Sequence, residues 1–144
     1  MSATLDTEVM DFAHAIGRMV RRVRAAASDG ELSGPEGQVL GRLDRLGPAT
    51  SAELAREQGM KPQSMGPTIA ALQERGYLER TPHPSDGRQM LVTLTAKGAE
   101  TRKRIVEAKL GWLRDRLEAL PDRERATLVA AGRIIERVLD DEQR

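Results

Sequence analysis

Residues 61–80 read KPQSMGPTIAALQERGYLER, and this stretch decides the fold. From Thr68 onward its apolar residues recur at helical spacing, yet the first half holds Pro62, Gly66 and Pro67. A proline in a helix interior forfeits a backbone donor and costs roughly 3 kcal/mol. Two starts reconcile the prolines with a helix. With Lys61 as N-cap, Pro62 takes the first helical position, where N–H groups have no intrahelical partner. Pro67 then lies inside a loosened first turn, and its missing N–H would have met the carbonyl of Gln63. With Ser64 as N-cap, Pro67 itself falls in the first turn at little cost. Gly66 suits both registers, because the residue before a proline avoids the α region. Either way the N-terminal half is free of bulky side chains, so a partner can approach its backbone.

Working outward, a short helix over SAELAREQG precedes this stretch, introduced by Thr50 and Glu53 in capping-box spacing. Upstream of it, Ser33 and Glu36 repeat the box ahead of a helix with Val39, Leu40, Leu43 and Leu46 on one face, stopped by Gly47 and Pro48. A first amphipathic helix over about 6–27 carries Val9, Phe12, Ala13, Ile16, Val20 and Val23, and Ser28-Asp29-Gly30 closes it. Downstream, YLERT and QMLVTLT read as two short strands, with Asp86-Gly87 as a hairpin signal between them. Thr95 caps a long helix with Ile105, Val106, Leu110, Leu113, Leu117 and Leu120 near every 3.5 residues, broken at Pro121-Asp122. A last helix carries Leu128, Ala131, Ile134, Ile135, Val138 and Leu139.

Composition narrows the function classes. The 144 residues suffice for one domain with a real core, and neither a repeat nor a linker divides them. Cysteine is absent, which excludes disulfides, zinc-thiolate sites and thiol redox switches. His14 and His83 lie too far apart for a metal-ligand spacing, so no metal and no cofactor are expected. A net charge of +1 is not a strongly basic signature, and residues 50–98 hold six Lys and Arg against five Asp and Glu. Only Phe12, Trp112 and Tyr77 are aromatic, too few for platforms that stack single-stranded bases. No apolar run is long enough for a membrane span, and the acidic start lacks the apolar segment of a secretory signal, so the expected location is the cytoplasm. The basic runs RRVR at 21–24 and TRKRIVEAK at 101–109 read as solvated helix faces. Without a phosphate loop, nucleophile elbow or paired acids, an enzyme has no residues to stand on.

The element order is helix, helix, helix-turn-helix, hairpin, long helix, helix. Its expected class is mainly α with a small β-hairpin wing, a winged helix-turn-helix. In that arrangement the second helix of the pair fits the major groove, and the hairpin reaches the adjacent minor groove or backbone. The stretch ELAREQGMKPQSMGPTIAALQERGYLERTPHPSDGRQMLVTLTAKG resembles the DNA-binding lobe of the MarR family of bacterial regulators, through its DGR wing and its LT-x-x-G entry to the long helix. Element order extends the likeness over nearly the whole chain.

The resemblance implies one MarR-type domain over 1–144, with a DNA-binding lobe at about 33–98 and a dimerisation lobe formed by helices at about 6–27 and 100–140. It implies a homodimer on a pseudo-palindromic double-stranded operator, repressing until a small, often aromatic, ligand binds between the lobes. It places DNA contacts on Lys61, Gln63, Ser64, Met65, Pro67 and Thr68, and in the wing on Ser85 and Arg88. Of these, Gln63 has the amide that pairs bidentately with adenine, while Ser64 and Thr68 suit bases or phosphates. Met65 suits a thymine methyl, against the plainer reading of a core methionine. Pro67 stands where the family commonly has arginine, which shifts weight to the wing. Arg88 matches the family's minor-groove arginine, against a surface pair with Asp86 worth under about 1 kcal/mol. His83 reads as a solvated loop residue. His14 and Trp112 are candidates for an effector pocket, against packing or interface roles. The rival reading is a winged-helix protein-interaction module without operator specificity, kept open by the even charge balance.

Overall fold

Two capping boxes organise the middle of the chain in the computed structural model, which describes residues 2–28 and 30–142. Asp29, in the turn expected after the first helix, lies outside the described residues, as do the ends of the chain. Helix α1 runs Ser2–Ala27 and α2 runs Gly34–Leu46. At the head of α2 the Ser33 hydroxyl accepts from Glu36 N, and the Glu36 carboxylate accepts from Ser33 N at 2.8 Å. Strand β1, Ala49–Thr50, leads into α3, Ser51–Glu57, where Thr50 and Glu53 form the same reciprocal pair. Gly59, at φ 63°, supplies the left-handed residue that ends α3, and Met60 N donates to Ala55 O across it. Helix α4 spans Pro62–Glu74, followed by β2 (Leu78–Pro82), β3 (Met90–Leu94), α5 (Ala96–Glu118) and α6 (Asp122–Asp141).

The sheet has the order β1-β3-β2, all antiparallel, with Ala49 opposite Val92 and Leu78 opposite Leu94. β1 escapes the sequence reading because two residues carry no periodicity; it forms because β3 offers it an edge. The hairpin connection also differs from a tight Asp-Gly turn. His83 N donates to Gln89 O, so the loop is wide, and Gly87 has no positive φ. Asp86 acts instead through its carboxylate, which accepts from Arg88 N at 3.1 Å, while its carbonyl accepts from Gln89 N. The His83 imidazole Nδ1 accepts from Ser85 N and Asp86 N, so this residue organises the wing tip rather than standing loose in solvent.

The core belongs to one half of the molecule. Val39, Leu40 and Leu43 of α2, Ala49 of β1, Leu54 and Ala55 of α3, Met65, Ile69 and Leu72 of α4, and Tyr77, Leu78 and Val92 of the hairpin form a single buried cluster. Helix α1 packs along α5, yet Val9, Phe12, Met19 and Val20 remain exposed, as do Leu128, Ile134, Val138 and Leu139 of α6. No residue of α6 is buried.

Candidate nucleic-acid interface

The quoted stretch resolves to the earlier of its two starts. Lys61 is the N-cap with no side-chain cap bond, Pro62 opens α4, and Pro67 lies inside it. The first turn is held by Lys61 O, which accepts from Ser64 N at 2.9 Å and Met65 N at 3.1 Å. Thr68 Oγ1 donates to Ser64 O at 3.1 Å, a side-chain bond one residue on from the donor that Pro67 lacks.

Burial then sorts the residues of α4. Met65, Ile69 and Leu72 are fully buried at helical spacing and fasten the helix to the core. Met65 is therefore corrected from a DNA contact to a core residue: at 0% exposure it has no surface to offer a base. Lys61, Gln63, Ser64 and Pro67 stay exposed on the opposite side, and Thr68 is half-buried with its hydroxyl donated within the helix. Ser85 and Arg88 are exposed in the wing. Among the described residues Arg88 forms no ion pair with Asp86, whose carboxylate takes the Arg88 backbone N–H instead.

What aims α4 lies at its far end. Thr95 N donates to Tyr77 O at 3.1 Å, and the Thr95 hydroxyl donates to Gly76 O while its own oxygen accepts from Gly98 N. Lys97 Nζ donates to Arg75 O at 2.7 Å. A Cβ on Gly98 would lie 2.1 Å from Tyr77 O, so the glycine of the LT-x-x-G entry permits the backbone contact joining the end of α4 to the start of α5. The Tyr77 ring sits beneath the Arg75 and Lys97 cations, 5.2 and 4.5 Å from its centroid, and its hydroxyl donates to the Glu31 carboxylate. Arg75 also bonds Glu36 at 3.0 Å. The Ser33 backbone N–H, then the Ser33 hydroxyl and Arg75, hold the Glu36 carboxyl below the usual carboxylate value. On the other flank Arg42 of α2 grips the Glu57 carboxylate and Gly47 O; that hydrogen bond lowers the Glu57 carboxyl and ties α2 to α3. The recognition surface is thus rigidly backed.

A depression of about 390 Å³ beside the wing is lined by Thr50, Ser51 and Ala52 at the start of α3 and by Arg80, Gln89 and Met90 of the hairpin. Arg80, a cation facing the same side as the wing, was missed because nothing in a strand pattern singles it out. The second miss is larger. A cavity of about 540 Å³ opens between α1, α2 and α5, away from α4. Neither effector candidate lines it: His14 is exposed on α1, and Trp112 is half-buried under the Arg116 guanidinium at 5.4 Å. The two basic runs are also only partly solvated faces, since Arg21, Arg24, Arg102 and Lys109 turn toward this cavity. Their spacing of three and seven residues was the available signal, along with Gly34, Gly37 and Gly41 along one stripe of α2. Among the described residues no cluster fit for a metal ion occurs, and no helix is long and apolar enough to cross a membrane.

Comparison with known proteins agrees with this geometry. An HTH-type transcriptional regulator of Mycobacterium tuberculosis is 34% identical over 131 residues, covering 91% of this chain and 92% of that protein. An HTH-type transcriptional repressor of the same species is 35% identical over 113 residues, covering 76% of this chain and 81% of its own length. The solved structure of a MarR family protein from Bacillus stearothermophilus superposes with a TM-score of 0.84 at 17% identity, over 100% of this chain and 99% of that one. The MarR family model matches residues 31–89, the segment that holds α2, the helix-turn-helix and most of the wing. With helix, turn, recognition helix and wing all in place, this chain belongs to the MarR family and is a DNA-binding transcriptional regulator, not an enzyme.

Proposed function

We propose that this regulator acts as a homodimer on a pseudo-palindromic operator, as a repressor that a small ligand releases. The observation carrying the operator reading is the division of α4: one face is fastened by Met65, Ile69 and Leu72, and the other presents Lys61, Gln63, Ser64 and Pro67 beside the exposed Arg88 wing. A helix so backed enters a major groove as a rigid body, and the wing then meets the adjacent minor groove. The repressor assignment draws support from the relative that carries that name.

Exposed surface supports the dimer. A compact monomer of this length exposes about 7,300 Å², whereas this chain exposes 10469 Å². An elongated shape accounts for part of the excess, and the uncovered apolar stripes of α1 and α6 for much of the rest. The excess is of the order that one subunit buries in a large obligate interface. Two-fold symmetry would then set two α4 helices about one helical turn of DNA apart. Light scattering at micromolar concentration checks this, and a monomer there would count heavily against it.

Selection of bound DNA from random oligonucleotides tests operator binding, and two variants then separate reading from positioning. Gln63→Ala should cost roughly 1–3 kcal/mol on the selected operator and little on random DNA. Arg88→Ala should weaken both and flatten the salt dependence by about one counterion per site. Equal losses on both DNAs for Gln63→Ala would refute base reading by α4. An unchanged salt slope for Arg88→Ala would leave the wing a mere hairpin.

A further inference from the structure

The cavity between α1, α2 and α5 gathers five cations: Arg21 and Arg24 from α1, Arg45 from α2, and Arg102 and Lys109 from α5. Among the described residues no carboxylate lines it. Like charges brought together repel, and the half-burial of Arg102 and Lys109 thins the water that screens them, while Arg21, Arg24 and Arg45 stay exposed. The sequence nevertheless makes room for them. A Cβ on Gly41 would press 3.2 Å from the Arg102 guanidinium, so this glycine gives that side chain its place. That guanidinium is held by little else. Its nearest acid, Asp44, is 3.6 Å from Nε and half-exposed, and the buried Nε has no hydrogen bond. Lys109 feels the same field: burial first, then Arg102, Arg24 and Arg45, push its ammonium below the ordinary lysine value. Among the described residues the rest of the wall is small, aliphatic or hydroxylic apart from the Gln38 amide, with Leu32, Ile105 and Ser28, and holds no aromatic ring.

We infer that this cavity binds a small anion carrying two or more negative charges, a polycarboxylate or a phosphorylated compound. A volume of about 540 Å³ suits such a ligand. Guanidinium forks on several sides match its oxygens bidentately and spread over more than one charge. An aromatic monoacid would leave most of the cations unanswered and find no ring to stack on. α2 and α5 are the helices that carry Glu36 and Lys97, both of which grip Arg75 at the end of α4. Occupancy that draws α1, α2 and α5 together therefore bears on how α4 is aimed. This last step rests on the ligand-released reading above; the binding itself does not.

Calorimetry on the full chain without DNA, at fixed ionic strength, separates the two. Citrate and pyrophosphate serve as the carboxylate and phosphate probes, and salicylate as the aromatic monoanion. At least one polyanion should bind saturably, about tenfold or more tighter than salicylate. The double variant Arg45→Gln/Lys109→Gln should lose about tenfold or more of that affinity while melting no lower than the parent, since it sheds like charges. No saturable binding of either polyanion, as when carboxylates of a second subunit already fill the cavity, would overturn the site. So would salicylate binding as tightly, or polyanion affinity untouched in a folded double variant. A polyanion that binds as expected, yet leaves operator affinity unchanged at matched ionic strength, would sink ligand release and leave the site standing.

Discussion

The winged lobe and the terminal helices are built from similar amphipathic sequence but reach opposite outcomes. In the first, stripes from α2, α3, α4 and the hairpin meet with Ala49 of β1, and twelve residues bury themselves against one another. In the second, α1 packs along α5 yet leaves Val9, Phe12, Met19 and Val20 exposed, and the stripe of α6 stays exposed likewise. An amphipathic helix is only half an instruction, because its stability comes from the surface it meets. The winged lobe is specified by one chain. The proposed dimer would give the terminal helices their second surface.

Gly98 offers the most severe way to break the first lobe. A Cβ 2.1 Å from Tyr77 O cannot be accommodated without moving backbone, so Gly98→Ala should cost about 4 kcal/mol or more, or prevent folding. Chemical denaturation measures it, and a loss under 1 kcal/mol would mean that the junction of α4 and α5 gives way easily.

The comparison itself is sharpened by two truncations of similar size. Leu40→Ala removes a fully buried side chain and should cost about 2–5 kcal/mol at any protein concentration. Ile134→Ala removes one that is 51% exposed in the single chain, so its effect should appear as a weaker dimer and a melting temperature that depends on concentration. Identical concentration dependence for the two would erase the distinction between the lobes.

The smallest effect concerns acid. The Glu36 carboxyl is held low by the Ser33 N–H, so the folded state favours its charged form. That contribution is fully present above the ordinary carboxylate value near 4.5 and is lost as pH falls through the lower folded value. Glu36→Gln should therefore lower stability by about 1 kcal/mol at neutral pH and converge with the parent in acid. Parallel pH-stability curves would show that the box contributes no charge-dependent stability.

Much of this molecule was legible in local chemistry. Both capping boxes, the Gly47 and Pro48 stop, the Thr95 cap and the Pro121 break act within a few residues, so spacing alone locates the elements. The Lys61 start of α4 was the favoured of two open registers, and the bonds from Ser64 N and Met65 N to Lys61 O mark it in the fold. Tertiary structure alone decided the rest. It withdrew Met65 from the DNA-facing set, since a helix residue's exposure depends on which neighbour its face meets. It opened the hairpin loop, because Asp86 spends its carboxylate on Arg88 N. It turned cations from α1, α2 and α5, up to 88 positions apart in sequence, toward one cavity that no linear pattern contains. Local bonds are written in adjacent residues, but burial and electric field are sums over whatever the fold brings near.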